Sequence, residues 1–251
     1  MRILLIGDIH SNLEALDACL TAAPVHDLVV NLGDIVGYGA SPNEVTERSR
    51  QLGKHCVRGN HDKAVTGLME VGDFNPVAGL AALWTREHLK PENLEWLRGL
   101  PQGPIRIDET LDIQCVHGSP LDEDDYVVTL RDALEPLMAA TVAITFFGHS
   151  HVQGVFCSDQ EEVEVVRPTY PTVGRAETWD LPLDRNAHYL INPGSVGQPR
   201  DGDWRAAFAL FDSDRYHVAF HRVPYNLKGA QDRIVAANLP QRLATRLAAG
   251  R

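Results

Sequence analysis

The sequence predicts an α/β protein in which two sheets pack together with helices outside. Three observations carry this. Near the N-terminus, short apolar runs stop at Gly-Asp or Gly-Asn pairs and alternate with helically spaced leucines, the pattern of β-α-β units. From Asn75-Pro76 to Leu100 the text is helical. After Pro101 the runs become short and turn-separated, and several alternate apolar with polar residues, as in antiparallel strands with one wet face.

In chain order, Ile3 to Ile6 is a continuous apolar run and predicts a strand buried on both faces, ending at Gly7-Asp8. Leu13, Leu16, Cys19 and Leu20 follow at helical spacing, and a second run, Leu28 to Leu32, ends at Gly33-Asp34. Ser41-Pro42-Asn43-Glu44 announces the next helix: Ser can cap, Pro suits the first position and Glu can close a capping box. A third run, His55 to Val57, ends at Arg58-Gly59-Asn60. The helical stretch that follows carries apolar stripes through Leu80, Leu83, Trp84 and then Leu94, Trp96, Leu97, broken at Pro91. At that spacing the tryptophans read as core rather than as nucleobase platforms. Strands are expected at Ile105–Ile107, Ile113–Val116, Ile144–Phe147, Val152–Phe156, Val163–Val166, Tyr189–Ile191, Ala206–Phe211 and Tyr216–Val223. A helix is expected around Leu130 to Ala140 and another at the end of the chain. No repeat or linker composition interrupts residues 1–251, so one domain is expected.

The 251 residues carry 23 Lys plus Arg against 34 Asp plus Glu, a formal net charge of −11. That field repels polyanions, which argues against coating nucleic acid or a membrane surface and leaves a specific small anion open. Cys19, Cys56, Cys115 and Cys157 are widely spaced and form no Cys-x-x-Cys pair, so they read as reduced thiols of a cytoplasmic protein. The N-terminal run is too short for a signal-peptide core, and no run approaches the ~18 apolar residues of a membrane span.

Chemistry concentrates in short strings placed just after predicted buried strands: Asp8-Ile9-His10, Gly33-Asp34, Gly59-Asn60-His61-Asp62, His117-Gly118 and Gly148-His149-Ser150-His151. The C-terminal ends of strands are where open α/β sheets gather ligands, so these strings can converge on one crevice. Carboxylate, imidazole and amide oxygen are all metal ligands. Seven of them, Asp8, His10, Asp34, Asn60, His117, His149 and His151, are too many for one ion but suit two that share a bridging Asp34. Within Asp8/His10 and His149/His151 the i, i+2 spacing would point both side chains the same way on an extended backbone. The acidic run Asp122-Glu123-Asp124-Asp125 reads as a solvated loop that could border the site.

In these strings the chain resembles the calcineurin-like metallophosphoesterases, whose motifs run D-x-H, G-D, G-N-H-D/E, H and G-H-x-H. Asn31 to Gly39 and Asn192 to Arg200 are similar to the small bacterial and archaeal phosphodiesterase branch of that family. The resemblance implies a four-layer α/β/β/α sandwich of two mixed sheets flanked by helices, the metallo-dependent phosphatase fold. It also implies two divalent metal ions, with Asp8, His10 and His151 on one, Asn60, His117 and His149 on the other, and Asp34 bridging. Imidazole-rich ligation favours Mn, Fe, Ni, Co or Zn over Mg or Ca, and Mn is the first expectation. A bridging water made acidic by the ions would supply hydroxide near neutral pH. His61 is then the candidate general acid, and Asp62 would orient or charge it. Arg58 reads either as a phosphate clamp or as a surface ion pair, and Arg200 either as a phosphate ligand or as part of a structural turn with Asn192 and Ser195.

The expected activity is hydrolysis of small phosphate mono- or diesters, with a dinucleoside polyphosphate such as diadenosine tetraphosphate as an alternative substrate. Protein phosphatases of the wider family carry G-D-x-V-D-R-G, and Gly37 and Tyr38 stand here where Asp and Arg would. Dephosphorylation of proteins is therefore disfavoured, as is long nucleic acid. A non-catalytic scaffold role, known for relatives that have lost ligands, would leave metal content low.

Overall fold

The first apolar run, β1 (Arg2–Ile6), lies inside a sheet with a neighbour on each side, which accounts for its unbroken hydrophobicity. In the computed structural model, which describes residues 1–108, 110–159 and 162–251, β1 pairs in parallel with β2 (Leu28–Asn31), and β2 with β3 (His55–Cys56). On its other side it pairs antiparallel with β11 (Ala206–Asp212), which continues through β12 (His217–Val223) to β9 (Glu177–Pro182). The second sheet runs in the order β4 (Ile105–Asp108), β5 (Ile113–Cys115), β6 (Ile144–Phe146), β10 (His188–Asn192), β7 (Gly154–Ser158) and β8 (Val163–Val166). In it β5, β6 and β10 are mutually parallel and the flanking pairs antiparallel, so both sheets are mixed.

The two-residue period of β1 divides the core. Ile3 and Leu5 enter the layer between the sheets with Phe146, Ile191, Phe211 and Phe220. Leu4 and Ile6 face a helical layer with Leu16, Val45 and Leu243. On the outer face of the second sheet, Phe147, Phe156 and Leu190 pack against Ala133 and Leu137 of α6 (Leu130–Met138). The order is helices, sheet, sheet, helix, and it is lopsided. Among the described residues α6 is the helix in contact with the second sheet, while the first is covered by α1 (Leu13–Ala22), α2 (Pro42–Gln51), α4 (Pro76–His88), α5 (Pro91–Arg98) and the C-terminal pair.

Five details differ from the sequence expectation. Leu80 and Leu83 of the expected apolar stripe are exposed, and α4 buries Ala78, Ala81, Ala82 and Thr85 instead. The chain ends in two packed helices, α7 (Leu227–Ala236) and α8 (Gln241–Ala249), parted at Pro240. β9 has no counterpart among the expected strands, because its half-buried and exposed residues alternate at a sheet edge, where acidic residues and a terminal Pro are tolerated. A short helix, α3 (Asn60–Thr66), begins where the third run was expected to end. Ser41 precedes α2 without capping it; its buried hydroxyl has no partner, and Pro42 alone plays its expected part. No helix among the described residues is long and apolar enough to cross a membrane.

Candidate metal centre

The parallel strands of both sheets end on one edge of the sandwich, and the loops after five of them carry the candidate ligands: Asp8 and His10 after β1, Asp34 after β2, Asn60 after β3, His117 after β5, His149 and His151 after β6, while the loop after β10 carries Arg200. These loops are not extended. Asp8, His10, Asp34, His149 and His151 all have positive φ, from 48° to 65°. The i, i+2 pairs therefore converge through left-handed residues at both positions, which replaces the strand-type alternation expected from spacing. Such conformations cost of order 1–3 kcal/mol each and persist only where the surroundings over-determine them. Main-chain bonds do so here: Asp8 N to Gly33 O at 2.9 Å, His10 N to Asp34 O at 2.9 Å and Gly197 N to Asp8 O at 2.9 Å. Gly59 has a stricter duty, since a Cβ there would lie 2.1 Å from Asp34 Oδ1.

Asp8, His10, Asp34 and His151 present ligand atoms within 4.8 Å of one another, and so do Asp34, His117 and His149. Asp34 belongs to both groups. Its Oδ2 lies 3.5 Å from His10 Nε2 and 3.5 Å from His117 Nε2, while Oδ1 accepts the main-chain N–H of His61 at 2.9 Å. Asn60 lines the cavity beside His149, and its buried Oδ1 has no hydrogen-bond partner.

The imidazoles are oriented from behind. The ring nitrogens remote from the centre donate to carbonyls: His10 Nδ1 to Val36 O, His151 Nδ1 to Gln198 O, His117 Nδ1 to Leu32 O and His149 Nε2 to Asp124 O, at 2.6 to 3.1 Å. A carbonyl can only accept, so each neutral ring turns a bare lone pair inward. Those inward nitrogens meet in pairs, His10 Nε2 with His151 Nε2 at 3.0 Å and His117 Nε2 with His149 Nδ1 at 3.1 Å. Facing lone pairs repel unless a cation or a proton lies between them. With the unpartnered Asn60 Oδ1, this arrangement fits divalent-metal binding.

Proton affinities agree. Burial holds His10 and His151 well below the usual histidine range and His149 down to about 3, so these three are neutral ligands. At His117 burial also opposes the charged form, but the Asp34 charge, a hydrogen bond to it and the Asp8 charge outweigh burial and push it up to about 10. Burial, with the charge of Asp34, raises Asp8 to about 7.

Beside these ligands a cavity of about 440 Å³ opens to solvent, lined by His61, Tyr38, Phe74, Tyr126, Arg200 and Arg246 among others. His61 packs against His10, Tyr38 and Phe74 with centroids 4.3 to 4.9 Å apart. Burial pushes it down to about 4, so its ring is neutral at neutral pH. Asp62 does not touch that ring. Its carboxylate accepts main-chain N–H groups of Ile35, Val36 and Gly59 at 3.0 to 3.2 Å, tying the loop that carries Asp34 to the loop that carries Asn60. It is a brace, because its position in α3 points it at the two loops and not at its sequence neighbour.

Arg58 is not among the residues lining the cavity. Its guanidinium donates to Glu123 at 2.8 Å, and Lys63 Nζ reaches the same carboxylate at 3.0 Å. Within the run 122–125, Asp122 and Asp125 are exposed as a solvated loop requires, but Glu123 is buried and anchors it, and Asp124 lines the cavity. The same Asp124 supplies the carbonyl behind His149. Arg200 does line the cavity, with a contact to the Tyr38 hydroxyl at 3.3 Å and a buried Nε that has no partner. Asn192 and Ser195 do more than shape a turn: Asn192 Nδ2 donates to Gly148 O and Ser195 Oγ to Asp8 O, fixing two ligand loops. Tyr126, stacked on His149 at 3.7 Å, and Arg246 carry no motif signal, and the fold alone brings them here.

Residues 1–215 match the calcineurin-like phosphoesterase superfamily domain. An uncharacterized protein of Methanocaldococcus jannaschii is 38% identical over 254 residues, covering 99% of this chain and 98% of that one. Among solved structures, a metallophosphoesterase from Sphaerobacter thermophilus superposes with a TM-score of 0.85 at 41% identity, covering 100% of this chain and 99% of that one. A hypothetical protein from Pyrococcus horikoshii shares the fold, with a TM-score of 0.78 at 21% identity over 100% of this chain and 98% of that one.

Proposed function

The chain belongs to the calcineurin-like phosphoesterase superfamily, and from that premise we propose that it hydrolyses small phosphate mono- or diesters at a centre of two divalent ions. One observation carries the reading: two ligand clusters share Asp34, and in each of them a pair of imidazole nitrogens faces across about 3 Å. Asp8, His10 and His151 would hold one ion, Asn60, His117 and His149 the other, with Asp34 on both. Nitrogen-rich donors favour a transition metal, Mn, Fe, Ni, Co or Zn, over Mg or Ca, and Mn is the ion to test first. Ions at these positions would supply Lewis acidity, an acidified water and neutralisation of phosphoryl charge.

The chain's own residues do the positioning. Carbonyls of Val36, Gln198, Leu32 and Asp124 fix the ring orientations, so little rearrangement accompanies binding. Arg200, with its unpartnered Nε, is placed to donate to phosphoryl oxygens. His61, held neutral, suits a hydrogen-bond donor to the substrate better than an imidazolium acid. Arg58 is occupied by Glu123 and has no such part. A cavity of about 440 Å³ in a chain of net charge −11 supports a small substrate rather than long nucleic acid. The free cysteines support a reducing, cytoplasmic setting.

Protein stripped with chelator should lose hydrolysis of p-nitrophenyl phosphate and its bis ester and regain it with Mn, and metal analysis should find about two ions per chain. No activity with any divalent metal, or a chain that retains no metal, would leave a scaffold as the better account.

A further inference from the structure

Several arginines of this acidic chain are met by carboxylates: Arg58 by Glu123, Arg205 by Asp203 and Glu177, Arg222 by Asp201, Arg233 by Glu14. The arginines beside the candidate metal centre are not. A second cavity of about 750 Å³ adjoins the first, and Asn75 and Arg246 line both. Its wall is one side of α8, with Arg242, Thr245, Arg246 and Ala249 at i, i+3, i+4 and i+7. No carboxylate side chain lines it, and among the described residues none pairs with Arg200, Arg242 or Arg246; Arg246 Nε donates instead to the Arg251 oxygen at 2.5 Å, in the same cavity wall.

Arg246 lies at the junction. Its guanidinium sits 5.4 Å over the Tyr38 ring, and the Tyr38 hydroxyl contacts Arg200 at 3.3 Å. A line of guanidinium groups thus runs from beside the metal ligands, through Arg200 and Arg246, to Arg242. Burial and the nearby Arg200 charge both disfavour the protonated form of Arg246, as expected where guanidinium groups gather without an acidic side chain in the wall. Unbalanced cations that line contiguous cavities are what a ligand with two separated negative groups would neutralise.

We propose that the second cavity is an anion subsite, in which Arg242 and Arg246 hold a phosphate or carboxylate borne by the same small molecule whose phosphoester group lies at the metal centre. The assignment rests on the phosphoesterase reading and narrows its substrate class to bis-anionic phosphoesters. Arg246 lines both cavities and Arg242 the second alone, so Arg242 is the residue that separates the two subsites.

The test uses full-length protein loaded with Mn and non-hydrolysable probes, a series of alkylene bisphosphonates of increasing length against alkyl monophosphonates of matching length, titrated calorimetrically. At the length that spans the two cavities the bisphosphonate should bind roughly tenfold tighter than the monophosphonate. Arg242→Ala, a change at an exposed side chain, should abolish that advantage, and Arg242→Lys should restore part of it. Equal binding of the two probes at every length, or an advantage that survives Arg242→Ala, overturns the subsite. Hydrolysis of p-nitrophenyl phosphate, followed in parallel, reports on the underlying reading separately: its absence with every metal, alongside an intact bisphosphonate preference, sinks the phosphoesterase assignment and leaves the anion subsite standing.

Discussion

At the scale of single residues the centre depends on how few alternatives each position has. Asp34 belongs to both clusters, so Asp34→Asn should lower kcat/KM by roughly 10³-fold or more and halve or abolish metal content, since it would weaken both of the proposed ion sites at once. His61→Gln keeps an N–H donor and removes a ring that is neutral at neutral pH. It should cost less than roughly 10²-fold, with metal content intact; the reverse ranking would transfer the central role to His61. Gly59 offers a sharper geometric test. Its Cβ position lies 2.1 Å from Asp34 Oδ1, so Gly59→Ala must displace that carboxylate. Metal affinity is expected to fall roughly 10- to 100-fold, the range seen when a ligand's support is lost, and metal per chain after dialysis measures it.

At the scale of elements, the loops are held by groups that no motif marks. Asp62 braces two ligand loops through three main-chain amides, and Glu123 anchors the loop behind His149 through Arg58 and Lys63. Replacing Glu123 by Gln leaves two cations without their shared partner, although Lys63 keeps Asp124. A loss of about 3 kcal/mol in unfolding free energy is expected, at the low end for a broken buried pair, with a lower denaturant midpoint and weaker metal retention. Unchanged stability would mean that water replaces the carboxylate. The strands and most helices were readable because burial on two faces leaves continuous apolar runs, as in β1, and because Pro42 and Pro91 sit where helices begin. β9 was not, since an edge strand with one packed face resembles a polar loop in its residue types. α3 is too short, at seven residues, for apolar periodicity to show.

For the whole molecule, stability in acid depends in part on imidazoles that the interior holds neutral. His221 is one that lies apart from the metal ligands, stacked on Phe208 at 4.6 Å with its Nε2 buried and unpartnered. Burial pushes it down to about 4. The unfolded chain protonates the same group near 6.5, so its contribution is complete above that pH and is lost as pH falls toward 4, a loss of about 3 kcal/mol at most. His221→Phe should flatten that part of the stability profile, measured by urea unfolding between those pH values; an unaltered slope would assign the acid limb to the ligand histidines. The sequence by itself determined the architecture class and which residues meet at the strand ends, because a buried run closed by Gly-Asp or Gly-Asn is a local pattern that does not depend on distant contacts. Tertiary structure decided the rest. It placed Asp8, His10, Asp34, His149 and His151 in left-handed conformations, assigned Asp62 and Glu123 to the loops, removed Arg58 from the cavity and brought α8 beside Asn75. The reason is that strain, ion pairing and cavity walls arise between segments far apart in the chain, and their energies exist only once both partners are in place.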